Sequence, residues 1–297
     1  MVSPDWETIA AAIGTATGEE FAMTSAEPVG GGSIHLSWRV GDGRRKFFVK
    51  TNARSALPMF EAEAGGLSAL SATGEIRVPA VIAAGTGNEG AFLVMEALDL
   101  APLDRESGAR LGQALARLHR RVGADHGWDV DNYIGATPQI NTPHPGWPHF
   151  FGERRLRPQL RQALANGMDK ALVAKGMGIV ELLGGMFLDY RPLPSLLHGD
   201  LWSGNAGALA DGTPVVFDPA CYRGDRETDI AMAELFGGFP TSFFAAYRET
   251  WPLDRDHERR KPLYKLYHIL NHYNLFGEAY LGQARRMIER LLAELRR

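Results

Sequence analysis

The chain has little cysteine and no long hydrophobic run. Its 297 residues include one cysteine, Cys221, which excludes an internal disulfide and a cluster of metal-bound thiolates. No window approaches the roughly 18 uninterrupted apolar residues of a membrane-spanning helix. The N-terminus carries early acidic residues and lacks the apolar core of a secretory signal peptide. These absences predict a soluble, cytoplasmic protein that does not bind membranes.

The chain also lacks an excess of charge of one sign. Its 32 basic and 35 acidic residues leave a net charge of −3. A protein that binds nucleic acid or anionic lipid usually carries an excess of basic residues, so neither partner is predicted. With 45% hydrophobic residues, the chain can bury a sizeable core. A length of 297 residues exceeds that of a typical single domain, so two lobes are expected.

The first 97 residues contain mainly β-like segments. A short helix is predicted at the start, with Ser3 as its N-cap and Pro4 at its first position. Strands are predicted over 21–28, 34–40, 46–50, 81–84 and 91–95, and a helix over 57–70. Because the connections between these strands are too short for parallel crossovers, the pattern favours an antiparallel sheet.

From residue 98 onward the pattern becomes mostly helical. Helices are predicted over 111–121, 149–174, 179–189 and from 228 to the end, with short strands over 195–198, 205–209 and 214–217. The stretch 122–148 is rich in Gly, Pro, Asn and aromatics and lacks periodicity, which is typical of a functional loop. The predicted class is α+β, with an N-terminal domain over 1–97 and a helical C-terminal domain over 98–297.

Three oxygen-bearing side chains occur at the spacing that phosphoryl transfer requires. Asp200 precedes Asn205 by five positions in LLHGDLWSGN, and Asp218 follows thirteen residues later in VVFDPA. The first carboxylate can accept a proton from a hydroxyl, while the asparagine and the second aspartate can hold Mg²⁺ over ATP. Each piece alone also suits an ordinary turn. Together, in register, they indicate a kinase with ATP between the two domains.

A lysine and a glutamate in the N-terminal part complete this pattern. Lys50 ends an apolar strand, from which an ammonium group can reach the α- and β-phosphates when a glutamate of the next helix holds it. Glu61 and Glu63 are the candidates. Glu63 is favoured because Phe60, Ala64 and Leu67 then form the flank that packs on the sheet. A lysine at a strand end is otherwise a solvated charge.

Two backbone segments are candidates for contacts with the nucleotide. A glycine-rich run separates two predicted strands and consists of Gly30, Gly31, Gly32 and Ser33. Because no helix follows the run, it favours a hairpin that closes over phosphates rather than a Walker or dinucleotide loop, with a plain turn as the alternative. Glu96, Ala97 and Leu98 lie where strands give way to helices. They predict either a hinge that pairs with adenine or a simple linker.

Asp229 begins a predicted helix after the second aspartate motif. Its carboxylate either caps that helix, where the helix dipole stabilises it, or braces the catalytic loop from behind. Both roles stay open at this point. Cys221 is expected to be a small packed hydrophobe without a chemical role.

The residues resemble the fructosamine kinases, or ketosamine 3-kinases, which are relatives of aminoglycoside and choline kinases with a protein-kinase-like fold. The resemblance extends over essentially the whole chain. It is carried by GGGSIH, FFVK with MFEAEAGGL, LVMEAL, NYIGATPQIN, WPHFFGERRLRPQL, LLHGDLWSGN, VVFDPACY, ELFGGFPTSFFAAY and LYHILNHYNLFG. HGDLWSGN followed by FDPA and FGGFP is fairly specific to this family, whereas HGD with a later asparagine marks only the wider superfamily.

The resemblance implies ATP-dependent phosphorylation of the 3-hydroxyl of a ketosamine, the adduct of a sugar and an amine, in repair of early glycation. It implies a small-molecule substrate and a monomer or weak homodimer. By matched position Asp200 is the proton acceptor, and Asn205 and Asp218 are the metal ligands. Lys50 and Glu63 anchor the phosphates, and residues 96–98 form the adenine-binding hinge. Gln139, Asn141 and Trp202 fall in motifs near which the sugar is expected.

Two departures from the family pattern bear on substrate and assembly. Relatives tend to carry a tryptophan and an acidic residue where this chain has NTPHPGW, with Pro143 and Gly146, so other hydroxylated acceptors stay open. These are an aminoglycoside, an amino alcohol or another sugar. Ser33 replaces the cysteine that supports redox-sensitive dimers in some relatives. A non-catalytic nucleotide-binding module is disfavoured because Lys50, Asp200, Asn205 and Asp218 all persist.

Overall fold

A computed structural model of the chain describes residues 4–30 and 34–296, and it shows an α+β fold. Five strands near the N-terminus form one sheet with the order β1-β2-β3-β5-β4, and every neighbouring pair is antiparallel, as the short connections predicted. The strands are β1 (Ser25–Val29), β2 (Leu36–Gly41), β3 (Lys46–Asn52), β4 (Val81–Gly87) and β5 (Gly90–Glu96).

The two faces of this sheet are covered by different helices, α1 (Trp6–Thr17) and α2 (Leu57–Ala72). Side chains alternate between the faces along each strand. In β5, Phe92 and Val94 therefore join the cluster that contains α1. Leu93 belongs with α2 in a second cluster. The central strands β3 and β5 are thus buried on both faces, whereas β1 is mostly exposed. α2 lies on the same face as the even-numbered residues of β3.

The start of α1 differs from its prediction. The helix begins at Trp6, and its N-cap is Asp5, whose carboxylate accepts a hydrogen bond from the Thr8 amide at 3.1 Å. Pro4 is therefore outside the helix, and Ser3 lies outside the described residues. An aspartate at position 5 satisfies the exposed amides of the first turn, so the helix starts one residue after it.

The C-terminal part is mostly helical and contains three short strand pairs. Its helices are α3 (Arg105–His119), α4 (Trp147–Phe151), α5 (Arg157–Ala165), α6 (Lys170–Leu182), α7 (Glu227–Leu235), α8 (Thr241–Thr250), α9 (His257–Phe276) and α10 (Leu281–Leu295). The strand pairs are β6 (Asn132–Ile134) with β7 (Thr137–Gln139), β8 (Ser195–Leu197) with β11 (Tyr222–Gly224), and β9 (Ala206–Ala208) with β10 (Pro214–Val216).

Several predicted helix boundaries in this part were wrong. In place of the helix predicted over 179–189, α6 ends at Leu182 and a 3₁₀ turn follows over Leu183–Phe187. α3 starts six residues earlier than predicted, at Arg105, because Asp104 caps it through the amides of Glu106 and Ser107. The helix predicted over 149–174 is interrupted by a π-helical turn and by a break after α5. Gly167 adopts a left-handed φ of 95° at that break, and Asp169 then caps α6.

One hydrophobic cluster joins the sheet to the helical part. It includes Phe60 and Leu93 beside the sheet, Leu115 from α3, and Leu196 and Val216 from the short strand pairs. The core is therefore continuous across residue 97. Nowhere in the described ranges is there a helix that combines the length and apolar character needed to cross a bilayer.

Candidate active site

The short strand pairs bring together two loops that carry the phosphoryl-transfer pattern. One loop joins β8 to β9, and the other joins β10 to β11. The Phe217 amide donates to the Asn205 carbonyl at 3.0 Å, and the Ala220 amide donates to the His198 carbonyl at 2.8 Å. The His198 ring also contacts the Phe217 carbonyl through Nε2, at 3.0 Å. These contacts place Asp200 and Asp218 side by side across the paired loops.

The turn at Gly199 depends on the absence of a side chain. Its φ is 85°, and a Cβ atom there would lie 2.0 Å from the Ala220 carbonyl oxygen. Only glycine fits a left-handed backbone that runs this close to another chain segment. Asp218 is the non-glycine residue with a positive φ, 55°, among the described residues. Both loops therefore hold unusual backbone at the residues that present the two carboxylates.

The Asp200 carboxylate is paired with the amide of Asn205. Asn205 Nδ2 donates to the Asp200 carbonyl at 3.0 Å and to its Oδ2 at 3.3 Å. Burial, followed by the nearby Asp218 and Asp229 carboxylates, raises the pKa of Asp200 to about 7. A carboxylate with a pKa near neutrality is well matched to taking a proton from a hydroxyl.

Lys50 lies between two carboxylates. Its Nζ is 2.8 Å from Glu63 Oε1 and 2.6 Å from Asp218 Oδ1. Burial alone would lower the pKa of Lys50, but the two carboxylates outweigh it and the pKa is raised, so the ammonium stays charged. Glu63, the residue favoured from the sequence, makes this contact from α2, whereas Glu61 is exposed.

Asp229 braces the turn of the catalytic loop from behind. Its Oδ2 accepts from the His198 amide at 2.8 Å, and its Oδ1 accepts from the Gly199 amide at 2.9 Å. His119 Nε2 lies 3.1 Å from Oδ2, and the other ring nitrogen is 2.7 Å from the Tyr247 hydroxyl. Although Asp229 sits in the first turn of α7, its carboxylate binds the loop rather than the helix end. Of the two roles predicted from the sequence, the structure shows bracing.

The segments expected to contact the nucleotide flank this centre. Glu96 ends β5, and its carboxylate accepts hydrogen bonds from Arg77 Nη2, at 2.6 Å, and from the Ala80 amide, at 3.1 Å. The side chain is therefore used within the protein, and the Glu96 amide also donates to the Ala80 carbonyl, at 2.8 Å. Gly30 lies between β1 and β2. The rest of the glycine-rich run, Gly31, Gly32 and Ser33, is outside the described residues.

Gln139 is buried rather than available to a sugar. Its Nε2 donates to Asn132 Oδ1 at 2.8 Å and to the Ala220 carbonyl at 3.3 Å, while its Oε1 accepts from the Tyr267 hydroxyl at 2.7 Å. Only 2% of Gln139 is exposed. The amide is thus occupied by the protein itself, and a contact with substrate is not supported by this placement.

Asn141, which was also predicted to lie near the sugar, is likewise occupied within the protein. It is fully buried, its Nδ2 donates to the Val130 carbonyl at 3.0 Å and to Asn132 Oδ1 at 2.8 Å, and its Oδ1 accepts from Arg155 at 2.6 Å. Buried amides usually find such partners within the protein. The polar residues that the sequence suggested for sugar binding therefore form an internal network in the loop 122–148. This loop is also less irregular than predicted, because β6 and β7 form a hairpin within it.

Trp202 is the one member of the expected substrate group with an exposed side chain. It lies two residues after Asp200 and is 38% exposed. Its ring stands perpendicular to Phe236 at 6.3 Å between centroids, and it covers Gly204, where a Cβ would be 2.2 Å from the indole. Gly204 therefore leaves room for the indole to lie beside the catalytic loop.

Several residues of this centre received no role from the sequence. His198 was visible within the HGD motif, but its link to Phe217 depends on the second loop. Asn132 and Tyr267 come from distant segments, and no spacing relates them to Ala220 or to each other. Their shared contacts arise only when the long loop packs against α9.

The comparisons with known proteins agree with this geometry. A family model described as fructosamine kinase matches residues 5–294. A probable ketoamine kinase of Synechocystis is 45% identical over 97% of both chains. The chloroplastic protein-ribulosamine 3-kinase of Arabidopsis thaliana is 41% identical over 94% of this chain and 86% of that protein.

Solved structures place the fold in a wider group. A putative fructosamine-3-kinase from Haemophilus somnus has a TM-score of 0.89 and 32% identity, over 96% of this chain and 97% of that one. An aminoglycoside phosphotransferase, APH(4)-Ia, has a TM-score of 0.62 at 14% identity, over 96% and 98% of the two chains. This second likeness shows the protein-kinase-like fold alone. With a family model and relatives that both extend over nearly its full length, the chain belongs to the fructosamine kinase family.

Proposed function

We propose that the protein is an ATP-dependent kinase that phosphorylates the 3-hydroxyl of ketosamines such as ribulosamines and fructosamines. The observation that carries this proposal is the assembled set of Lys50, Glu63, Asp200, Asn205 and Asp218 in a member of this family. Support for the acceptor comes from relatives named ketoamine kinase and protein-ribulosamine 3-kinase. The cellular role that follows is repair of early glycation.

The residues present fit a magnesium ion. Asn205 uses its Nδ2 to bind Asp200, so its Oδ1 is left as an acceptor. The side chain of Asp218 is 43% exposed, so a bound ion can reach it. Amide and carboxylate oxygens are the ligands that Mg²⁺ prefers. We assign Asn205 and Asp218 to this ion, which when bound neutralises charge on the phosphates. Lys50, held by Glu63, supplies a second positive charge for the α- and β-phosphates.

Asp200 has the role of proton acceptor in the transfer. The acceptor hydroxyl donates a hydrogen bond to the carboxylate and attacks the γ-phosphorus in line. As the new O–P bond forms, the bond to the β–γ bridging oxygen breaks, and the hydroxyl proton passes to Asp200. The products are the phosphorylated ketosamine and ADP. Because catalysis of this kind is mainly positioning, the brace from Asp229 contributes by holding the loop that carries Asp200.

The remaining assignments concern how nucleotide and substrate are held. We assign residues 1–97 to an ATP-binding lobe and 98–297 to a lobe with the catalytic loop and acceptor site. The glycine-rich run, from Gly30 to Ser33, covers the phosphates, and the backbone of 96–98 pairs with adenine. Trp202 is kept as a contact for the sugar. We further propose a cytoplasmic monomer or weak homodimer.

One screen tests the proposal. The purified protein with ATP and Mg²⁺ is offered ribulosamine, erythrulosamine and fructosamine adducts, with an aminoglycoside as the comparison. We expect ³¹P NMR to show phosphate on the 3-oxygen of a ketosamine. Asp200→Asn should reduce transfer at least about 100-fold while circular dichroism and nucleotide binding stay as in wild type. Unchanged turnover in that variant, or transfer to the aminoglycoside alone, would sink the proposal.

A further inference from the structure

His35 lies on the same face of the sheet as Lys50. In the β2–β3 pairing Ser37 is opposite Lys50, and Leu36 is opposite Thr51. Directly opposed residues share a face, and so do residues two apart along a strand. His35 and Asn52 therefore extend the Ser37–Lys50 face toward the glycine-rich run. α2 covers this face, and the His35 ring lies 4.7 Å from the Phe60 ring between centroids.

The neighbouring amide determines which nitrogen of His35 carries its proton. Asn52 Oδ1 accepts from the Ala53 amide at 2.7 Å, and Asn52 Nδ2 donates to the Ile34 carbonyl at 3.0 Å. The same Nδ2 lies 2.8 Å from His35 Nδ1. Because Nδ2 can only donate, His35 Nδ1 is an acceptor and the proton resides on Nε2. This tautomer is assigned from the hydrogen-bond network.

The resulting imidazole is a neutral hydrogen-bond donor through Nε2–H. Burial, and then the charge of Lys50, lower the pKa of His35 to about 4, while Asp218 acts in the opposite direction. The ring is thus uncharged near neutral pH, and it lies within electrostatic range of the two residues assigned to the triphosphate. Within residues 4–30 and 34–296, Nε2 makes no hydrogen bond. His35 is half-buried, so a bound ligand can reach this donor.

We propose that His35 binds ATP directly, by donating a hydrogen bond from Nε2–H to an oxygen of the β- or γ-phosphate. This inference rests on the proposed function, because Lys50 and Asp218 mark the phosphate site only if the protein binds ATP. A phosphate oxygen is the acceptor that the site would contain, since Lys50 lies opposite Ser37, two residues from His35 on the same face of the sheet. His35 would then contribute to nucleotide affinity.

Two substitutions separate a donor role from a packing role. His35→Phe keeps a ring against Phe60 but removes the N–H, whereas His35→Gln loses the ring but keeps an amide donor. Calorimetry would measure the binding of a non-hydrolysable ATP analogue with Mg²⁺, of ADP and of adenosine. We expect His35→Phe to weaken the analogue about tenfold, as expected for loss of a hydrogen bond to a charged group, with adenosine unchanged. His35→Gln should stay within about threefold of wild type.

A control and a separate assay complete the experiment. His257→Phe serves as the control. His257 begins α9 and contacts Asp254 in the preceding loop and Glu258 on the same helix, and among the described residues it contacts none of those assigned to ATP. It should bind all three ligands as wild type does. Unchanged analogue binding in His35→Phe, an equal loss for adenosine, or a larger loss in His35→Gln than in His35→Phe would overturn the inference. If wild type binds the analogue but never phosphorylates a ketosamine, the proposed acceptor fails while the His35 contact stands.

Discussion

At the scale of single residues, Gly199 shows how backbone geometry shapes the site. Its left-handed φ and the nearby Ala220 carbonyl mean that any side chain strains the loop and collides with it. Asp200 follows Gly199 directly, so the direction of its carboxylate depends on this turn. The HGD motif therefore depends on its glycine as well as on its two polar residues.

Gly199→Ala is expected to destabilise the protein by at least about 2 kcal/mol and to abolish transfer. Gly18→Ala is the matched control, because Gly18 has a φ of 73° with nothing within 4 Å of the place where a methyl group would lie. It should lose only about 1 kcal/mol and keep full activity. Urea unfolding and a phosphorylation assay measure both effects. Equal losses in the two variants would show that the Ala220 contact is unimportant.

His268 is a second residue whose surroundings set its behaviour. It is 3% exposed on α9, its Nδ1 has no hydrogen-bond partner among the described residues, and burial followed by His272 lowers its pKa to about 3. The unfolded chain takes up a proton at this site near pH 6.5, whereas the native state does not. Its stabilising effect is therefore present above pH 6.5 and is lost as pH falls toward 3.

We expect His268→Gln to change the pH dependence of unfolding. Between pH 8 and pH 5 wild type should lose about 2 kcal/mol through this group, and the variant should not. Urea denaturation of both proteins at the two pH values gives the comparison. Relative to wild type, the unfolding free energy of the variant should be higher at pH 5 than it is at pH 8. A difference that stays constant between the two pH values would contradict the prediction.

At the scale of elements, the hairpin of β6 and β7 connects the long loop to the catalytic centre. Asn132 Nδ2 donates to the Cys221 carbonyl at 2.7 Å, and Gln139 reaches the Ala220 carbonyl. These two carbonyls lie just after Asp218. The loop 122–148 therefore supports the segment that follows Asp218. One of the two supporting amides, that of Gln139, was predicted from the sequence to contact the sugar.

Gln139→Leu should therefore act on stability rather than on recognition of the sugar. The Tyr267 hydroxyl, Asn132 Oδ1 and the Ala220 carbonyl would each lose a partner, which should cost about 2 kcal/mol in unfolding free energy. KM for the ketosamine should change no more than KM for ATP. Gln162→Leu is the control, because its amide bonds Asn166 at the surface. A selective rise in KM for the ketosamine would restore Gln139 as a substrate contact.

At the scale of the whole molecule, the proposed boundary at residue 97 does not divide the hydrophobic core. The cluster that contains Phe60 and Leu93 continues through Leu115 to Leu196 and Val216. Separating the two lobes would expose these side chains to water, at a cost that grows with the apolar area exposed. The lobes are therefore expected to be interdependent in stability.

We expect one cooperative unfolding transition for the full chain. Differential scanning calorimetry should give a single peak whose calorimetric and van't Hoff enthalpies agree, since the shared cluster couples both lobes. The magnesium complex of an ATP analogue should raise its midpoint. Two well-separated transitions in the ligand-free protein would contradict the coupling.

Much of the site was predictable because its signals are local in the chain. Asp200, Asn205 and Asp218 belong to neighbouring turns, so their spacing in the sequence nearly determines their spacing in space. The antiparallel sheet followed from short connections in the same way. Glu63 was favoured over Glu61 from the apolar periodicity of α2, a property of one helix. The helix ends were less predictable, because capping by Asp5 and Asp104 competed with other polar residues nearby.

The contacts between distant segments were decided only by the tertiary structure. Lys50 and Asp218 are 168 residues apart, and Gln139 and Tyr267 are 128 apart. No periodicity or spacing relates such pairs, because their distance depends on how whole elements pack. The amino-acid pattern thus determined the chemistry of LLHGDLWSGN and the class of the fold. Packing decided that Gln139 and Asn141 are buried supports, that Asp229 braces the loop, and that His35 lies on the same face of the sheet as Lys50.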